Sequence, residues 1–170
     1  MCKNDLQICV MKHIKLLIPI LFACLTTSAQ LVVQVFDGDT YKVLDKGKFV
    51  IIRLANVDAP ELSQYYGKTV KVCVSKLILG KTVKLEILRT DRYKRTVANV
   101  TIDGVSLDSL LVSNGWAWHY LPYSSHLYLS SYESKAVESG FGMWRCKKNV
   151  PPWIWRKLNK RQKRLKEMCR

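Results

Sequence analysis

Val35-Phe36-Asp37-Gly38-Asp39-Thr40 and Arg53-Leu54-Ala55-Asn56-Val57-Asp58-Ala59-Pro60-Glu61 are the two segments from which the fold of this chain is read. Each ends an apolar, strand-like run in carboxylates, and the second adds an arginine. Carboxylates gathered at strand ends repel one another unless a cation sits between them. Asp39, Asp58 and Glu61 offer hard oxygen donors only, which suits calcium or magnesium rather than zinc. Arg53 carries a planar fork that matches a pair of phosphate oxygens. A hard cation beside such an arginine points to phosphodiester chemistry. Taken singly, each segment has a plainer reading. Asp-Gly is a common hairpin turn, and Asp-Ala-Pro-Glu also suits a loop entering a helix. Their coincidence, with a third arginine-bearing segment further on, favours the chemical reading.

Outward from these segments the chain is β first and then mixed. Leu31 to Phe36, Tyr41 to Leu44, Phe49 to Val57, Thr82 to Leu88 and Thr96 to Ile102 read as five strands, with turns at Asp45-Lys46-Gly47-Lys48 and Asp103-Gly104. Val70, Val74, Leu77 and Ile78 make an amphipathic helix of Lys68 to Leu79, stopped by Gly80. Ser106 to Asn114 and Leu127 to Ser139 are the second and third helices. Five strands with a helix between the third and fourth is the plan of an OB-type barrel, an α+β fold whose face and loops commonly hold nucleic acid or sugar.

The 170 residues fit one domain with extensions, and a net charge of +15 calls for a polyanionic partner, nucleic acid or an anionic membrane face. Residues 1–29 read as an export signal: Met11-Lys12-His13-Ile14-Lys15 is a basic start, Leu16 to Leu25 an apolar run, and Thr27-Ser28-Ala29 a cleavage site. Met11 is an alternative start, and Cys24 an alternative lipid anchor, the only route by which a membrane enters. Export to the cell exterior or periplasm is expected. Without residues 1–29 the chain loses three lysines and one aspartate and keeps +13. Residues 30–150 are then the domain, and 151–170 a solvated basic tail that either adds phosphate contacts or serves solubility.

Cys73, Cys146 and Cys169 follow the signal segment without C-x-x-C spacing, so zinc is not expected. A Cys73–Cys146 disulfide and free, mostly buried thiols are equally open. His119 and His126 read as packing or surface residues. Trp116, Trp118 and Trp144 read as packing between helices and barrel. Lys81, Lys84 and Arg89 form a solvated face that adds to the positive field.

With Thr90-Asp91-Arg92-Tyr93-Lys94-Arg95-Thr96-Val97-Ala98 added, and Gly115-Trp116-Ala117-Trp118, Gly142-Met143-Trp144 and Pro152-Trp153 following in order, the chain resembles the staphylococcal nuclease family over roughly Val33 to Arg156. The resemblance implies a calcium-dependent nuclease acting on DNA and RNA with little sequence preference, as a monomer and with no protein partner. It puts calcium on Asp39, Asp58 and the carbonyl of Ala59. Glu61 matches the general base, and Arg53 and Arg95 the two arginines on the scissile phosphate. Arg92 and Tyr93 match contacts to a terminal phosphate, with Tyr120 or Tyr123 at a further tyrosine position. Some members of the family have lost their catalytic residues and only bind single-stranded nucleic acid, which is the alternative here. Two departures stand out: Lys94 where many members have glycine, and Ala59 where the best-known member has threonine. One geometric demand follows. Residues five apart on a straight strand point to opposite faces, so the third strand must bend, bulge or end between Ala55 and Val57 if Arg53 and Asp58 are to meet.

Overall fold

A computed structural model describes residues 30–124, 126–147 and 149–166. The expected signal segment, with Cys24, and the terminal Cys169 lie outside the described residues. Among the described residues no helix is long and apolar enough to cross a membrane.

Five strands close into a barrel: β1 (Gln30–Val35), β2 (Thr40–Asp45), β3 (Lys48–Leu54), β5 (Thr82–Thr90) and β6 (Thr96–Ile102). β2 pairs antiparallel with β1 and β3, and β5 with β1 and β6. The ring is shut by a parallel pairing of β3 with β6, Arg53 opposite Val97. Alternation puts Tyr41 and Val43 of β2, and Ile52 and Leu54 of β3, inside. In β1 the buried residues Val32 and Val35 are three apart, which strict alternation forbids; a register shift between Val32 and Gln34 brings both to the core.

The first helix, α1 (Gly67–Ile78), buries Val70, Val74 and Ile78, one side chain per turn on one face. α2 (Leu107–Ser113) starts at Ser106, whose hydroxyl accepts from the Ser109 N–H at 3.4 Å, and buries Leu107, Leu111 and Val112. α3 (Tyr128–Glu138) packs on α2. Each fully buried Leu, Ile or Val contributes about 1.5–3 kcal/mol, and this continuous core fastens the helices to the barrel. The three expected helices are therefore present. Two further short ones, α4 (Pro152–Trp155) and α5 (Lys160–Lys166), fall where a solvated tail was expected. Pro152 and Trp155 are buried, because two prolines limit the chain's freedom and a tryptophan gains much by leaving water.

The third strand does end where the geometry demands. β3 stops at Leu54, residues 55 and 56 bend, and the chain resumes as β4 (Val57–Asp58). β4 leaves the barrel to pair with β8 (Trp118–His119) in a sheet of its own; the remaining strand, β7 (Val105–Ser106), extends the edge beside β6. Asn56 pins the bend. Its amide donates to Asn99 of β6 at 2.8 Å and to Asp108 of α2 at 2.7 Å, while its carbonyl accepts from the Tyr120 N–H at 2.8 Å.

Gly38 is required by packing. A Cβ there would lie 2.5 Å from the Ala59 side chain and 2.6 Å from that of Val70, so only glycine lets the β1–β2 turn reach both. Gly67 does the same for the next loop: a Cβ would lie 2.0 Å from the Glu61 carbonyl.

Candidate functional site

The bend delivers Arg53 and Asp58 to one point. Arg53 Nη2 lies 2.9 Å from Asp58 Oδ1 and 3.2 Å from Asp39 Oδ2, while Nη1 donates to the carbonyls of Leu54 at 2.7 Å and Val57 at 2.8 Å. The carbonyl of Val57 is free to accept because the strand has turned out of the barrel. Asp39 is held from three sides. Its N–H donates to Asp37 Oδ1 at 3.1 Å, and its Oδ1 accepts from the Thr40 hydroxyl. Its Oδ2 accepts from the Ala59 N–H at 2.7 Å.

Burial concentrates negative charge here. Asp37 is pushed up to about 7, first by burial and then by the neighbouring Asp39 charge. Asp58 is also raised, mainly by burial, although Arg156 donates to it. Glu61 sits at the rim, its N–H donating to Gln64 Oε1 at 2.8 Å. Two adjoining clefts, of about 600 and 420 Å³, share Arg53, Asp58, Arg92, Tyr93, Arg95 and Arg156 as common wall.

Arg95 is placed by its own turn. Asp91 Oδ1 accepts from the N–H groups of Tyr93 and Arg95 at 2.8 and 2.9 Å, and Asp91 Oδ2 accepts from Arg95 Nε at 2.8 Å. Burial raises the Asp91 carboxyl, but the donors from Arg95 and Tyr93 together outweigh it, so the carboxyl is held below the usual range. Lys94 takes φ +62°, the left-handed conformation that favours glycine. Tyr93 is exposed, with the guanidinium groups of Arg92 and Arg95 4.8 and 5.4 Å from its ring centre. Tyr120 and Tyr123 line the second cleft and stack at 5.3 Å, and Trp153 meets Tyr120 at 5.2 Å.

The sequence that builds the barrel and the Arg53 corner has relatives among known proteins. The family model described as "Staphylococcal nuclease homologue" matches residues 51–146. The chain belongs to the staphylococcal nuclease family. It is 40% identical over 126 residues to an uncharacterized endonuclease of Escherichia coli O157:H7, covering 74% of this chain and 82% of that protein. An uncharacterized endonuclease of Haemophilus influenzae is 39% identical over 131 residues, 76% of this chain and 73% of its own. A staphylococcal-like nuclease of Arabidopsis thaliana is 34% identical over 110 residues, 65% of this chain but 34% of that longer protein.

In this staphylococcal nuclease family member, every site residue expected from sequence lines one of the two clefts, Ala59 and Glu61 included. Among the described residues, no three His, Cys, Asp or Glu side chains converge as a ready-made metal cluster. Guanidinium groups are threaded between the carboxylates instead. The donor set fits a hard cation in kind, since all its atoms are oxygens, while the guanidinium groups of Arg53 and Arg156 on Asp39 and Asp58 oppose a further positive charge there.

Arg156 is the residue that sequence reasoning missed. Read as part of a solvated tail, it enters the first cleft: Nη2 lies 2.7 Å from Asp58 Oδ2 and Nη1 2.8 Å from Glu61 Oε1. The available signal was Pro151-Pro152-Trp153-Ile154-Trp155, a stiff apolar anchor just ahead of it. The Cys73–Cys146 pairing does not form. Cys73 is a free thiol on α1, and Cys146 is disulfide-bonded elsewhere. His119 and Trp118 are buried, as expected of packing residues, and Trp118 meets Trp144 edge-on at 5.3 Å.

Proposed function

We propose that this chain is a calcium-dependent nuclease that hydrolyses phosphodiester bonds of DNA and RNA with little base preference. The observation that carries this reading is the Arg53 corner: a phosphate-matching fork clamped to two buried carboxylates, with Glu61 and Arg95 on the same cleft wall. Family membership and relatives named as endonucleases support the coarser statement, a nuclease.

Asp39, Asp58 and the carbonyl of Ala59 are the groups that would hold calcium. Such a dication, when bound, polarises a phosphoryl oxygen and acidifies water. The chain's own residues do the rest. Glu61, partly exposed at the rim, takes the proton of the attacking water. Arg53 and Arg95 stabilise charge growing on the non-bridging oxygens, and the fixed partners of Arg53 mean that little reorganisation is needed. Arg92 and Tyr93 hold a neighbouring phosphate, while Tyr120 and Tyr123 offer ring faces for unstacked bases. Backbone contacts carry no sequence information, so affinity falls with salt while base preference stays low. Residues 1–29 serve export in this reading and leave the positive charge on the mature domain.

The test is cleavage of single-stranded DNA by the purified protein with calcium and then with chelator, beside Glu61→Gln and Arg95→Ala. Calcium-dependent cleavage that collapses in both variants is expected. DNA binding without cleavage under any divalent metal would establish the alternative, an inactive OB-type binding module.

A further inference from the structure

Arg156 lies ten residues beyond the end of the family match at residue 146, yet its guanidinium bridges the most buried carboxylate of the site, Asp58, and the partly exposed Glu61 at its rim. Asp58 is fixed: its side chain is 2% exposed, and Arg53 holds the other oxygen. Glu61 is not fixed in the same way. Its side chain is 37% exposed, and Gln64 holds only its backbone N–H. A glutamate with several free torsions samples many rotamers. A planar fork fastened to both carboxylates restricts it to one.

The fork itself is delivered by a rigid support. α4 is seated by buried Pro152 and by Trp155, which is 3% exposed and donates from Nε1 to Ser63 Oγ at 3.2 Å. Gln64 adds a second clasp, donating to the Val150 carbonyl at 2.8 Å. Ser63 and Gln64 belong to the loop that carries Glu61. The C-terminal segment and the Glu61 loop are thus one packed unit, and Arg156 is its contact with Asp58 of β4.

We propose that Arg156 is a positioning residue of the active site, supplied by the C-terminal segment, which holds the Glu61 carboxylate at a set distance from Asp58. This rests on the reading of Glu61 as the base. Because the guanidinium shares Asp58 with the expected calcium ligands, it opposes a second positive charge there. Arg156 therefore improves placement of the base while weakening cation binding. A residue with a merely structural role would not separate the two.

Arg156→Gln and Arg156→Lys in the full protein test this, with steady-state kinetics on single-stranded DNA, calorimetric titration with calcium chloride and thermal melting. Misplacing a catalytic group by an ångström costs about a hundredfold, so kcat of Arg156→Gln is expected to fall about 10- to 100-fold, with KM within about threefold. Its calcium Kd should stay level or tighten, and Arg156→Lys should recover only part of kcat because it cannot bridge two carboxylates with a planar fork. A kcat within about twofold of the parent would make Arg156 an ordinary exposed ion pair and overturn the proposal. So would parallel loss of kcat, calcium affinity and melting temperature, which marks a structural anchor. A parent protein that neither cleaves nor binds calcium removes the nuclease reading itself, and the proposal with it.

Discussion

Arg53 and Arg95, assigned to one phosphate by the same reasoning, stand in unlike surroundings. The side chain of Arg53 is 14% exposed and closed on Asp39, Asp58 and two carbonyls, partners that come from the β1–β2 turn, the end of β3 and β4. Arg95 is 30% exposed, and its anchor is Asp91, four residues earlier in the same turn. The first arginine is placed by the closing of the barrel, the second by five residues of local chain. At the corner, function and folding stability are one property; at the turn they separate.

The strongest attempt to break that contrast is to remove each guanidinium in turn. Arg53→Met leaves two buried carboxylates without their shared cation and should cost about 3–5 kcal/mol of stability. Arg95→Met should cost under about 1 kcal/mol, as for exposed pairs. Both should lower kcat by roughly 10²–10³. Urea unfolding beside cleavage assays reads this, and equal stability losses would erase the distinction.

Asn56 tests whether the bend is the device that makes the corner. Asn56→Ala strands buried Asp108 and Asn99 without their donor and should cost about 1–3 kcal/mol. Activity should fall with it, since Arg53 and Asp58 would diverge. Unaltered kcat in a destabilised variant would show that β4 pairing alone fixes the bend. The turn has a milder counterpart. Lys94→Gly relieves a left-handed lysine and should raise stability by about 1 kcal/mol, visible as a small rise in melting temperature, with Arg95 still in place.

The smallest effects are in pH dependence, and they have opposite signs. Burial raises Asp58, so its stabilising contribution is complete below its unfolded pKa of about 4 and is lost as pH rises through the higher folded value. Asp91 is lowered. Its contribution is present above about pH 4 and lost as pH falls through the lower folded value. Melting curves from about pH 3 to about pH 7 should therefore flatten on the alkaline side in Asp58→Asn and on the acid side in Asp91→Asn. Like-signed changes would mean that the two carboxylates share an environment after all.

The legible parts of this molecule are those specified by short-range rules. Val70, Val74 and Ile78 declare α1 by period, and the Lys46-Gly47 and Asp103-Gly104 turns carry positive φ, whereas Asp37-Gly38 does not. Arg53 and Asp58, five residues apart, require a bend if they are to share one site, because strand geometry leaves no other way to bring them together. The site residues were legible as a set, since chemically demanding types recur in order along the chain. Arg156 was not legible as a member of that set. A run of lysines and arginines with poor periodicity reads as solvent-facing, and no local pattern says which one will be folded back.

By itself, then, the sequence determined the five barrel strands, three of the helices, the carboxylate and arginine set and the need for a break between Ala55 and Val57, all consequences of side-chain period, turn chemistry and charge. Only the tertiary structure decided the parallel β3–β6 closure, the Asn56–Asp108 pin, the free thiol of Cys73 and the arrival of Arg156 on Asp58 and Glu61. Those depend on which distant surfaces meet, and that is set by burial of Trp155 and the barrel core rather than by any rule acting along the chain.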